Sequence, residues 1–114
     1  MTNEKQKIAK IVNALIEYFL SHQAKGIHLS IQEVDTGTRI SLAMDEVHLS
    51  EKALEDLKHY LYMERQEEME EYYWHLLGND SETEEISLIG MMVDEAEVCV
   101  NSQTLTVELT RYYA

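Results

Sequence analysis

Proline is missing from this chain of 114 residues, glycine occurs only at Gly26, Gly37, Gly78 and Gly90, and Cys99 is the one cysteine. A lone cysteine excludes an internal disulfide and any zinc site built from several thiolates. Four glycines leave little material for phosphate-cradling loops, whose backbone reaches a nucleotide where no Cβ intervenes. Long apolar runs are lacking as well: none approaches the roughly 18 residues that a bilayer span requires. The opening MTNEKQKIAK leads into an amphipathic pattern, not an uninterrupted apolar stretch of secretory type. A cytoplasmic location is therefore expected.

Bases are also scarce. Nine Lys and Arg stand against 22 Asp and Glu, a formal net charge of −13. Such a balance repels phosphate backbones and anionic headgroups, so neither nucleic acid nor a membrane is expected as a partner. A charged partner should be basic. Hydrophobic residues nevertheless make up 45% of the chain, enough for one core, and the length suits a single domain over residues 1–114.

From about Asn3 to Ala24, Ile8, Ile11, Val12, Leu15, Ile16, Phe19 and Leu20 recur at spacings of three and four, which predicts an amphipathic helix. Gly26 stands where a helix terminator belongs. The period then changes to two. Ile27, Leu29 and Ile31 alternate with polar residues as far as Val34, predicting a strand with one buried face. Asp35-Thr36-Gly37-Thr38 is turn chemistry, and Arg39–Met44 alternates again. Ser50 precedes Glu51 as an N-cap. No helix breaker follows until Gly78-Asn79-Asp80-Ser81, so one helix of nearly 25 residues, or two shorter ones, is expected. A further helix over Thr83–Val93 and a hairpin of 97–100 and 104–109 complete the chain. The order predicts an α+β fold: a two-layer α/β sandwich with a mixed or antiparallel sheet and helices on one face.

Few side-chain groupings suggest chemistry. Glu71 and His75 share a helix face near Glu67 and Glu68, but one helical turn supplies two metal ligands where three or four must converge. The spacing reads as a solvated acidic face. Cys99 lies on a strand, where a free thiol is expected as a small buried hydrophobe, and Met91 and Met92 as core filler. Tyr72, Tyr73 and Trp74 are consecutive, so they cannot all face a core. Tyrosine and tryptophan are favoured interface anchors, so the trio is a candidate protein interface, to which Tyr112 and Tyr113 add.

The segment Asn13-Ala-Leu-Ile-Glu17, followed through Lys25-Gly26 by Ile-His-Leu-Ser-Ile31, is similar to the N-box helix and next strand of histidine-kinase-type (GHKL) ATPases. Arg39–Asp45 resembles the strand ending in the aspartate of their DxGxG motif. Ile86–Val98 and Thr104–Leu109 resemble the last helix and strands of the anti-sigma-factor serine kinases in that superfamily. The resemblance covers nearly the whole chain in order and implies the Bergerat fold. It implies nucleotide-binding roles for Asn13, Asp45 and Thr104, and a Mg²⁺-holding role at Glu17 if Mg-ATP is bound. The departures are specific. Glu17 replaces the family's metal-binding asparagine, Val47 and Leu49 replace the two glycines of DxGxG, and Glu84-Glu85-Ile86 stands where a GxG belongs. Carboxylates at that helix N-terminus occupy the dipole that would attract phosphate. The expectation is a non-catalytic, regulatory, protein-binding module without a cofactor, partnered by another protein or by itself. The alternatives are an ATP-binding serine kinase of the anti-sigma-factor kind and a structural homodimer built on residues 50–77.

Overall fold

Helix α1 (Glu4–Ser21) opens the chain in the computed structural model, which describes residues 3–77 and 82–113, residues 82–84 through their backbone alone. Its apolar stripe turns inward as the periodicity requires: Ile11, Leu15 and Phe19 are fully buried. The helix ends in a Schellman turn. The Ala24 N–H donates to the Phe19 carbonyl at 3.0 Å and the Gln23 N–H to that of Leu20 at 3.0 Å. The left-handed position in that turn belongs to Gln23, with φ 67°. Gly26, expected to be the terminator, is instead the first residue of β1 (Gly26–Val34).

β1 forms a hairpin with β2 (Gly37–Asp45), in register from Gly26 opposite Asp45 to Val34 opposite Gly37. Next come α2 (Glu51–Leu61), α3 (Glu67–Tyr73) with a 3-10 turn over Trp74–Leu76, and α4 (Glu82–Met92). Strands β3 (Glu95–Asn101) and β4 (Thr104–Tyr112) close the chain as a second hairpin. The Ser50 hydroxyl accepts from the Ala53 N–H at 3.1 Å, which caps α2 as its sequence predicts. The break expected at residues 78–81 lies outside the described residues, as does the side chain of Glu84.

The stretch expected to be one long helix or two shorter ones is divided, although neither glycine nor proline separates α2 from α3. Tertiary bonds interrupt it. The Gln66 N–H donates to the Met91 carbonyl at 2.8 Å, and Arg65 reaches Asp94 and the Tyr112 carbonyl. These partners outweigh the continued intrahelical ladder, since propensity is a weak prior against tertiary context.

The four strands make one antiparallel sheet in the order β1-β2-β4-β3. One face carries Ile40, Leu42 and Met44 from β2, Leu105, Val107 and Leu109 from β4 and Val98 from β3, all buried in the core with the helices. Helix α4 touches α1, α2 and α3. At Gly90 it lies so close to α2 that a Cβ would sit 1.8 Å from the Tyr60 carbonyl oxygen. The opposite face is open and polar.

Two further sequence expectations need correcting. Cys99 is exposed, because Val98 takes the inward position of β3 and leaves the thiol on the open face. Leu29 and Ile31 pair with Leu42 and Ile40 and so lie on the inner side, yet they are 41% and 49% exposed. Their strand is at the sheet edge, where the helix layer does not cover them. Among the described residues, no helix is long and apolar enough to cross a membrane.

Candidate functional site

Glu70, one turn into α3, is the buried residue of that helix, at 2% exposure. Three cations converge on its carboxylate. Lys7 Nζ donates to Oε2 at 2.7 Å, Arg65 Nε to Oε1 at 3.1 Å, and Arg111 donates to both oxygens at 3.0 and 3.1 Å. Each cation is also held elsewhere. Arg111 makes a two-pronged bond to Glu4 at 2.7 and 2.9 Å and donates to the Met92 carbonyl at 2.6 Å. Arg65 bonds Asp94 at 2.8 Å, and Lys7 bonds Glu71. The cluster therefore joins α1, the α2–α3 connection, α3 and β4.

The electrostatics follow from this arrangement. Burial would raise the Glu70 carboxyl, but hydrogen bonds from Arg111 and Lys7 outweigh it and hold the group below the usual range. The Arg111 bond likewise lowers Glu4. Burial would lower Lys7, but Glu70 and Glu71 carry it above its ordinary value. Glu4, Lys7, Glu70 and Arg111 thus stay ionised through neutral pH. A cavity of about 430 Å³ opens beside the cluster, lined also by Glu67 and Tyr113. The cations are already committed to carboxylates, and neither acid is poised to exchange a proton near neutrality. The arrangement is suited to fastening α3 to the body.

The sequence reading missed this cluster, although a signal was present. Lys7 precedes Ile11 and Leu15 at intervals of four on the buried stripe of α1. Arg111 follows Leu105, Val107 and Leu109 at intervals of two on β4. A charge in an apolar register requires a buried partner.

The residues singled out by resemblance fall into two pairs. Asn13 and Glu17 are exposed, one turn apart on α1. Asp45, at the end of β2, lies directly opposite Thr104, the first residue of β4. Glu17 lines a cavity of about 230 Å³ with Tyr18, Glu85 and Ile86, whereas Thr104 lines one of about 120 Å³ with Val47, Leu49 and Leu54. Val47 and Leu49 are half-buried and pack against the core. The left-handed backbone in this loop is at Glu46, φ 52°, and at neither of the positions where the family has glycine.

The aromatic trio divides by exposure. Tyr72 is 74% exposed and Tyr73 43%, with Met69 beside them on α3, whereas Trp74 is half-buried against the core. Glu67, Glu68 and Glu71 surround this surface and are exposed. Tyr113 is exposed at the rim of the neighbouring cavity, and the Tyr112 hydroxyl donates to Glu95. Among the described residues, no three His, Cys, Asp or Glu side chains are grouped to hold a metal ion. No family model, curated protein or solved structure matches the chain.

Proposed function

We propose that this chain is a non-catalytic regulatory module that binds another protein and is built on a histidine-kinase-like ATPase scaffold. One observation carries the reading: α3 buries an acid and presents Met69, Tyr72 and Tyr73 to solvent. A helix normally turns its apolar side to the core. Here Glu70 is anchored by three cations and the aromatic side faces outward, rimmed by Glu67, Glu68 and Glu71. The chemistry suits a partner segment that is apolar at its centre and basic at its rim.

The packing of the loop after β2 supports the non-catalytic part. Val47 and Leu49 lie half-buried against the core at the positions matched to the family's glycines, and the cavities at Glu17 and Thr104 fall below the roughly 300–1,000 Å³ of ordinary ligand sites. The succession of helix, hairpin, helices and hairpin supports the scaffold. The test is calorimetric titration with Mg-ATP. No saturable heat is expected up to millimolar nucleotide, and micromolar binding would overturn the reading.

The ATP-binding alternative, a kinase of the anti-sigma-factor kind, draws its support from the placement of Asp45 opposite Thr104. It requires that ATP raise the thermal midpoint and that Asp45→Asn abolish the rise.

A further inference from the structure

Sheets blunt their edge strands with proline, lysine, inward-pointing charges, bulges or shortness. Of these protections β1 has only Glu33, a single inner-side charge next to the strand's end: it runs nine residues in unbroken register with β2, without proline or lysine. The hairpin determines which of its groups are free. The two-residue connection Asp35-Thr36 closes on the pair Val34–Gly37, and hydrogen-bonded pairs alternate from there. Ile27, Leu29, Ile31 and Glu33 consequently turn their N–H and C=O groups to the open edge. The same four residues place their side chains on the helix-layer side, where Leu29 and Ile31 are about half exposed.

We propose that β1 pairs antiparallel with β1 of a second copy of this chain, about a two-fold axis at Ser30, to make one continuous eight-stranded sheet. Ser30 is the midpoint of the strand, so this register uses all nine residues. It sets Leu29 opposite the second copy's Ile31 and Ile27 opposite its Glu33, both with outward-facing backbone groups. Leu29 and Ile31 then cover each other across the junction, as cross-strand apolar pairs do. Charge selects the same edge. Two chains of −13 repel over most of their surfaces, and the other edge strand, β3, carries Glu95 and Glu97. In the Ser30-centred register no Glu33 meets another. That self-complementarity argues for a second copy over an unrelated strand, and the edge is distinct from the aromatic surface of α3.

Sedimentation equilibrium and cysteine crosslinking test the proposal. The protein is expected to be dimeric at about 0.1 mM, and Ile31→Lys, a charge at an already exposed position, should weaken the dimer by about tenfold or more with unchanged circular dichroism. In a Cys99→Ser background, Ser30→Cys should form an intermolecular disulfide on mild oxidation. The two cysteines would occupy a non-hydrogen-bonded pair with Cα atoms about 4.5 Å apart, within disulfide reach. Gln32→Cys, which faces His28 of the second copy, should not crosslink. A monomer at about 0.5 mM would overturn the proposal. So would a dimer indifferent to Ile31→Lys, or one that fails to crosslink through Ser30→Cys. These outcomes leave the ATP titration and the α3 surface unaffected.

Discussion

Glu70 accepts from Lys7, Arg65 and Arg111 at a position 2% exposed, so its removal strands donors of the buried Lys7 and Arg111 side chains. Each cation keeps a more exposed carboxylate, Glu71, Asp94 or Glu4. Stranding buried donors in this way costs about 1–3 kcal/mol. Glu70→Ala is therefore expected to lose that amount of stability in urea unfolding. The cluster also sets an acid limit. Glu70 and Glu4 titrate lower in the folded chain than their ordinary 4.5. Their contribution is fully present above that value and is lost as pH falls through the folded values. Lys7 is raised above 10.5, so its share is fully present below that pH and is lost as pH rises through the folded value. Thermal midpoints measured from about pH 3 to 7 should fall steeply below about 4.5, and less steeply in Glu70→Gln.

Among the elements, α1 and α4 carry opposite kinds of backbone demand. The Schellman turn of α1 places Gln23 in the left-handed region, which costs a residue with a Cβ roughly 1–2 kcal/mol. Gln23→Gly is expected to recover about 0.5–1 kcal/mol of this, read as a higher thermal midpoint. Gly90 is the reverse case. Its missing Cβ lets α4 lie against the Tyr60 carbonyl, and Gly90→Ala forces the two helices apart. A loss of about 1–3 kcal/mol is expected in chemical denaturation. Helix α3 differs from both, because ion pairs replace an apolar stripe as its attachment. That substitution leaves Tyr72 and Tyr73 free for a partner.

For the whole molecule, the net charge of −13 and the β1 edge make opposing demands. Two like-charged chains must approach for β1 to pair, and added salt shortens the reach of their repulsion to about 10 Å at 0.1 M. Raising NaCl from about 20 to about 300 mM should tighten the β1 dimer in sedimentation, whereas it should weaken the binding of a basic partner to the acidic rim of α3. The sign of the salt effect therefore distinguishes the two surfaces.

Much of the architecture was legible in local pattern. The three-to-four spacing of Ile11, Leu15 and Phe19 specifies α1 and its buried side, and the alternation through Ile40, Leu42 and Met44 specifies β2. Ser50 marks the start of α2 through a bond three residues long. These features depend on neighbours a turn or a residue pair away, so composition and spacing suffice. The remainder depends on partners distant in the chain. Lys7 and Glu70 are 63 residues apart, Glu4 and Arg111 are 107 apart, and the division of α2 from α3 rests on Met91, Asp94 and Tyr112. The same holds for Cys99, Leu29 and Ile31. Alternation gives the side of a strand, but whether a helix covers that side is settled only when the layers pack.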